Sequence, residues 1–185
     1  KFPIDNFSRF KGKIKLTFND SFLFDNTFYF TINTSKKTSI LNIGKESSYL
    51  SKILNTNEFN YRSSTLADLN YNSISTQQLI ILNQLKHISN ILRNILVKFI
   101  ENGGNLIIIP EQNIEIYSYN SLLSDINSGR ILKKNKDSLK ITTINFKHPL
   151  FNRVFTKEVE NFEYPTSTLN YSHNLKGNPV LMFEN

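Results

Sequence analysis

His87 to Pro110 reads H-I-S-N-I-L-R-N-I-L-V-K-F-I-E-N-G-G-N-L-I-I-I-P. Ile88, Ile91, Leu92, Ile95, Leu96 and Phe99 recur at the i, i+3, i+4, i+7 spacing that gives a helix one apolar face. Asn90, Arg93, Asn94, Lys98 and Glu101 take the other face. Ser89 or Asn90 can cap the start by accepting from an unpaired amide. Gly103 and Gly104 are read as the stop, because glycine enters the left-handed region without a Cβ clash. Leu106 to Ile109 then forms an apolar run without alternation, the signature of a strand covered on both faces. Helix, Gly-Gly turn and buried strand make half of a βαβ unit.

Working towards the N-terminus, Leu79 to Leu82 is a second apolar run ended by Asn83. Ile40, Leu41 and Ile43 form a third, ending at Gly44. A helix is expected after it, with Tyr49, Leu50, Ile53 and Leu54 on one face and Ser47 or Ser48 as cap. Phe59 to Tyr61 fits a short strand. Strands alternating with helices at this spacing predict a parallel sheet with helices on its faces, in a domain spanning residues 38–185. Leu79 to Leu82 and Leu106 to Ile109 should be adjacent or near-adjacent parallel strands, both almost fully buried.

Residues 1–37 read differently. Ile14, Leu16 and Phe18 alternate with Lys13, Lys15 and Thr17, and Phe28, Phe30 and Ile32 alternate with Tyr29 and Thr31. Asn19-Asp20 and Asp25-Asn26 are turn formers. An antiparallel segment outside the main sheet is expected, the end of an upstream domain. Its Phe-rich face (Phe18, Phe28, Phe30) needs cover, from the α/β core or from another copy.

Beyond Pro110, Tyr119 to Ile126 fits a short helix. Ile131-Leu132 and Leu139 to Ile144 flank Lys133 to Asp137 as a hairpin. His148-Pro149 opens a helical turn bearing Leu150, Phe151, Val154 and Phe155, with Pro149 at the first position, where a missing amide hydrogen costs nothing. Phe162 to Tyr164 and Val180 to Phe183 are strand candidates. The first residue is Lys and the last apolar run is cut short, so a fragment of a longer protein is expected.

Composition narrows the chemistry. The 185 residues are 39% hydrophobic and 20% charged, with 15 Phe, 8 Tyr and no Trp. Abundant Asn, Lys and Ile fit an AT-rich genome. The net charge of +7 permits an anionic partner, but nucleic-acid recognition needs clustered charge. Lys133, Lys134 and Lys136 are the dense group, and a solvated turn accounts for them. With no cysteine, disulfides, thiolate metal sites and cysteine nucleophiles are excluded. No apolar run reaches the ~18 residues of a membrane span, and no signal peptide is visible.

Ligands of open α/β sheets bind beyond the strands' carboxyl ends. Three such ends are legible: Gly44-Lys45-Glu46, Asn83-Gln84-Leu85 and Pro110-Glu111-Gln112, with Gly44, Lys45, Asn83, Gln84, Glu111 and Gln112 as the candidate ligand-facing residues. Amides from Gly44 to Ser48 could hold an anion, but one glycine makes no phosphate fingerprint, and an ordinary loop is the simpler reading. Glu111 could serve as general acid or base if a partner raised its pKa; a polar loop residue is simpler. His87, His148 and His173 match no metal spacing, and no G-x-S-x-G is present. No metal or cofactor is expected, and His148 reads as a capping or packing residue.

The ordered set F-L-F-D-N-T-F-Y-F, I-L-N-I-G, L-I-I-L-N-Q-L, F-I-E-N-G-G-N-L-I-I-I-P, Y-N-S-L-L and H-P-L-F-N-R-V-F resembles the large Bacteroidetes membrane proteins that begin with a BatA-type aerotolerance domain. In those proteins a class I glutamine-amidotransferase-like domain follows a von Willebrand factor A-like or β-rich region. The resemblance implies a flavodoxin-like α/β fold in the cell envelope, periplasmic and tethered to the inner membrane through flanking segments. It implies a Cys at the elbow and a downstream His-Glu pair. Here the elbow is Pro110-Glu111-Gln112, so glutaminase chemistry does not carry over. A sugar-related branch has a His near the elbow, also absent. His148-Pro149 resembles an H-P-[LI] turn that shapes the sheet edge. The expected function is therefore a non-catalytic binding or interaction module for a protein or small-molecule ligand. The alternative is a hydrolase acting on a carbohydrate or amide through Glu111 and a histidine. Nucleic-acid binding rests on net charge alone, and no sequence-specific nucleic-acid recognition is expected.

Overall fold

The computed structural model describes residues 9–17, 26–33, 36–55, 57–151, 154–155 and 163–184. Its centre is a parallel sheet of four strands: β3 (Thr38–Gly44), β4 (Phe59–Ser64), β5 (Leu79–Asn83) and β6 (Asn105–Ile109), in the order β4-β3-β5-β6. Ile40 lies opposite Leu79, and Ile80 opposite Leu106. Helix α1 (Ser48–Leu54) follows β3, α2 (Asn90–Glu101) joins β5 to β6, and α3 (Ile116–Asp125) follows β6. The protein is thus mixed α/β, with a parallel sheet flanked by helices and separate antiparallel sheets.

The main core forms on one sheet face, and on the other Ile40 and Ile81 are buried as well. Leu41, Ile43, Ile80 and Leu82 pack against Leu92, Leu96 and Phe99 of α2 and Tyr119, Leu122 and Leu123 of α3. Ser89 caps α2 by accepting from the Leu92 amide at 3.3 Å. Asn102 ends the helix, and Gly103 takes φ +87°, as a left-handed stop requires. Gly104 differs from expectation. Its φ is not left-handed; instead the Phe99 ring occupies the space a Cβ would fill. Packing, rather than dihedral freedom, requires glycine there.

Three further expectations are corrected. β6 pairs with β5 as expected but forms the sheet's edge, and Ile107 stays 46% exposed. An apolar run predicts burial on both faces only if another strand or helix arrives, and the next strand, β7 (Ile131–Asn135), pairs elsewhere. In α1, Ser47 is the cap, accepting from Leu50, but Tyr49 and Ile53 face solvent. The hairpin around Lys133 to Asp137 does not form. β7 pairs with β10 (Asn170–His173), while β8 (Leu139–Ile144) pairs with β9 (Thr166–Ser167) and β11 (Leu181–Phe183). Lys133 and Lys134 therefore lie on a strand, not a turn.

His148 and Pro149 open a 3-10 turn, Pro149–Phe151. His148 caps it: its Nδ1 accepts from the Leu150 amide at 3.2 Å and its carbonyl from Phe151 at 2.9 Å. The strand expected at Phe162 to Tyr164 falls partly on Phe162, outside the described residues; the 163–165 stretch is not strand.

Near the N-terminus, β1 (Arg9–Lys15) and β2 (Thr27–Asn33) form an antiparallel pair outside the parallel sheet. Phe10, Gly12 and Ile14 oppose Ile32, Phe30 and Phe28; Lys11, Lys13 and Lys15 oppose Thr31, Tyr29 and Thr27. Strand alternation thus yields one apolar and one basic face. Phe28 is 65% exposed, so the α/β core of the same chain does not cover it. Phe18, Asn19, Asp20 and Asp25 lie outside the described residues.

Candidate functional site

The carboxyl ends of β3, β5 and β6 carry the sequence-predicted residues, and the structure gives each end a different state. At the first, Gly44 sits at φ +120°, and a Cβ would collide with the Asn83 carbonyl and the Leu85 side chain. This lets Lys45 turn back. Its amide donates to the Asn83 carbonyl at 2.9 Å. Its carbonyl accepts from Asn42 Nδ2 at 3.1 Å and Asn83 Nδ2 at 2.7 Å. Asn42 also donates to Ser63 Oγ at 2.9 Å. Asn42 and Asn83 are buried, where their amide hydrogens need such partners, while Asn42 Oδ1 is buried without one among the described residues. Lys45 and Asn83 are thus bonded to each other, with Gly44 packed against the Asn83 carbonyl.

At the second end, Gln84 adopts φ 53°, uncommon for a residue with a Cβ, and its amide donates to the Ile109 carbonyl at 2.8 Å. The loop that follows is stapled to the start of α3. Tyr119 donates its hydroxyl to the Leu85 carbonyl at 2.5 Å. The Glu115 amide donates to Lys86 at 2.8 Å, and Ile88 donates to Ser118 Oγ at 3.2 Å. His87 Nδ1 pairs with Glu115 Oε2 at 2.6 Å, both side chains half exposed. Burial pushes the Tyr119 phenol up to about 12, with Tyr171 and the Glu111 carboxylate adding to the shift. Tyr119 is fully buried and stays neutral at ordinary pH.

At the third end, Pro110 leads into Glu111 and Gln112, both held from across the molecule. The Tyr171 hydroxyl shares its one hydrogen between the Glu111 carbonyl at 3.0 Å and the Gln112 carbonyl at 2.8 Å. The same oxygen accepts from the Ile114 amide at 3.2 Å. Beside this elbow lies a cavity of about 570 Å³ between the end of β6, α3 and the β7, β9 and β10 strands. Ile108, Leu123, Ile131, Leu169 and Phe183 give it an apolar wall, with Glu111 and His173 as its ionisable members besides the two tyrosines. Both tyrosine hydroxyls are committed to backbone. The histidine bonds go elsewhere: His87 to Glu115, His148 to Leu150, and His173 Nδ1 to the Leu175 amide at 3.4 Å. Glu111 bonds to none of them among the described residues.

Gly103 and Gly104 lie at the opposite end of the sheet, beside Asn105, and His148-Pro149 sits in its own 3-10 turn. No cluster of three metal-binding side chains occurs among the described residues. No described helix is long and apolar enough to cross a membrane. Asn42 carries a sequence signal of its own, since a carboxamide inside I-L-N-I-G marks a buried polar group needing partners. Tyr171 left no such signal, because its strand pairs with β7 across a long sequence gap. No protein-family model matches this chain, and neither does any curated protein.

Proposed function

We propose that this chain is a non-catalytic binding module, carried in a larger membrane-anchored protein of the cell envelope, and that its ligand or protein partner docks in the cavity beside the β6 elbow. The carrying observation is the state of that elbow. Acyl transfer needs an activated nucleophile and free donors for the oxyanion. Here Pro110 has no amide hydrogen, Glu111 brings negative charge, and the two carbonyls that follow are fixed by Tyr171. What is left is a preformed, mostly apolar cavity with a few polar groups, and about 570 Å³ falls within the range of small-molecule sites.

The order β4-β3-β5-β6 supports the flavodoxin-like, amidotransferase-type reading, since it equals the first four strands of the order 2-1-3-4-5. Envelope location and tethering rest on the family resemblance. The testing experiment is a screen of small apolar molecules and peptides by ligand-observed NMR on the whole chain. Binders should be lost in Thr168→Trp, which fills the exposed mouth of the cavity without touching the core. Binders that survive that substitution would place the site elsewhere.

A second reading has one observation in its favour: Glu111 and His173 line the same cavity. If the protein is a hydrolase of a carbohydrate or amide, p-nitrophenyl glycosides or anilides should turn over. Both Glu111→Ala and His173→Ala should then abolish the reaction.

A further inference from the structure

A second cavity, of about 670 Å³, opens at the other end of the sheet, where the amino ends of β5 and β6 meet the end of α2. The 3-10 turn Tyr71–Thr76 forms its far wall. Carboxamides dominate its polar lining: Asn72, Gln77, Gln78, Asn102 and Asn105, with Lys98 as the lining cation.

Three of these amides are fixed by bonds that use half of each group. Gln77 Nε2 donates to the Ser73 carbonyl at 2.8 Å and Thr76 Oγ1 at 3.0 Å, leaving its Oε1. Gln78 Oε1 accepts from the Ser39 amide at 2.7 Å, leaving its Nε2. Asn105 Nδ2 donates to the Gln78 carbonyl at 3.2 Å, leaving its Oδ1. The unused halves are two acceptors and one donor, oriented before any ligand arrives. Asn72 and Asn102 add whole side-chain carboxamides without a hydrogen-bond partner among the described residues.

We propose that this cleft binds a neutral saccharide. A ligand matching it must both donate and accept without carrying net charge, which is the chemistry of sugar hydroxyls. A cation would find no carboxylate in the lining. An anion would meet Lys98, but also the carbonyl end of α2, the negative pole of that helix. The helix-end amides are already spent, Gly103 on the Ile100 carbonyl and Gly104 on that of Phe99, so no anion cradle remains there. The cleft lies at the sheet end opposite the elbow, so this site is independent of the one beside β6.

The test is a titration of the full chain with maltose, cellobiose and N,N′-diacetylchitobiose, followed in 1H–15N spectra, with phosphate and spermidine as charged controls. At least one disaccharide should shift the backbone amides of Gln77, Gln78, Asn102 and Gly103. Asn72→Ala combined with Asn102→Ala, both at exposed positions, should weaken that binding about tenfold or more. Silence from all three disaccharides, stronger shifts of the same amides by phosphate or spermidine, or unchanged affinity in the double variant would each overturn the proposal.

Discussion

Tyr119 concentrates several constraints in one residue. Its ring fills the core between α3 and the sheet, and its hydroxyl satisfies the buried Leu85 carbonyl. Tyr119→Phe keeps the ring and strands that carbonyl, which should cost about 1–3 kcal/mol in urea unfolding. The same residue predicts an alkaline limit. Its folded-state pKa is raised to about 12 from the ordinary 10.0, so the unfolded chain releases the proton first as pH rises. The stabilisation is therefore complete below pH 10 and disappears between pH 10 and about 12, a total of about 2–3 kcal/mol. The difference in stability between wild type and Tyr119→Phe should shrink across that interval; a constant difference would disprove the linkage. Two glycines offer a second comparison at this scale. Gly44 is both left-handed and pressed against the Asn83 carbonyl, whereas Gly103 is left-handed but open. Gly103→Ala should cost about 1–2 kcal/mol, the penalty for placing a Cβ in the left-handed region. Gly44→Ala should cost clearly more, because the obstacle is backbone and cannot swing away.

At the scale of elements, β5, α2 and β6 were legible because the apolar period changes from run to helix face and back. That legibility predicts that Phe99→Ala costs about 3–5 kcal/mol, since a buried ring leaves a cavity. It did not extend to how well β6 is covered. Ile81 in the interior strand and Ile107 on the edge stand in identical-looking runs, yet Ile81 is buried and Ile107 is not. Ile81→Ala should cost about 2–5 kcal/mol, but Ile107→Ala less than about 1 kcal/mol. Equal losses would mean that the free edge of β6 is covered in solution. The hairpin misreading has the same root. Lys133 to Asp137 has turn composition, and neighbouring strands usually pair, but β7 finds β10 instead. Local pattern identifies a strand; which strand lies beside it depends on contacts distant in sequence. The candidate site divides likewise. Gly44 and Asn83 could be placed from the runs they end, whereas the Tyr171 bonds that fix the elbow depend on that distant pairing.

The whole molecule carries a net charge of +7, and its consequences depend on where the charge sits. Lys11, Lys13 and Lys15 share one face of the β1–β2 ribbon, opposite Thr31, Tyr29 and Thr27. Lys133 and Lys134 stand on β7, and Lys134 bonds Asn113. These are two small groups on different sheets rather than one continuous groove. Each can meet only a few phosphates, and affinity built that way falls with the logarithm of salt in proportion to the contacts made. Sequence readout needs more: side chains placed to reach base edges from an element that fits a groove. The ribbon's basic face offers three long, flexible lysines, Arg9 at its end and a single aromatic, Tyr29, with Thr27, Thr31 and Asn33 as the other positions on that face. DNA or RNA should therefore bind weakly at low salt, without preference among sequences, and release by about 200 mM salt. Fluorescence anisotropy with duplex and single-stranded oligonucleotides across a salt series measures this directly. The combined variant Lys11→Ala, Lys13→Ala, Lys15→Ala should lower the salt slope if the ribbon supplies the contacts. Sub-micromolar binding at about 200 mM salt, with one sequence favoured over others, would show that the dispersed charges act as a recognition surface after all.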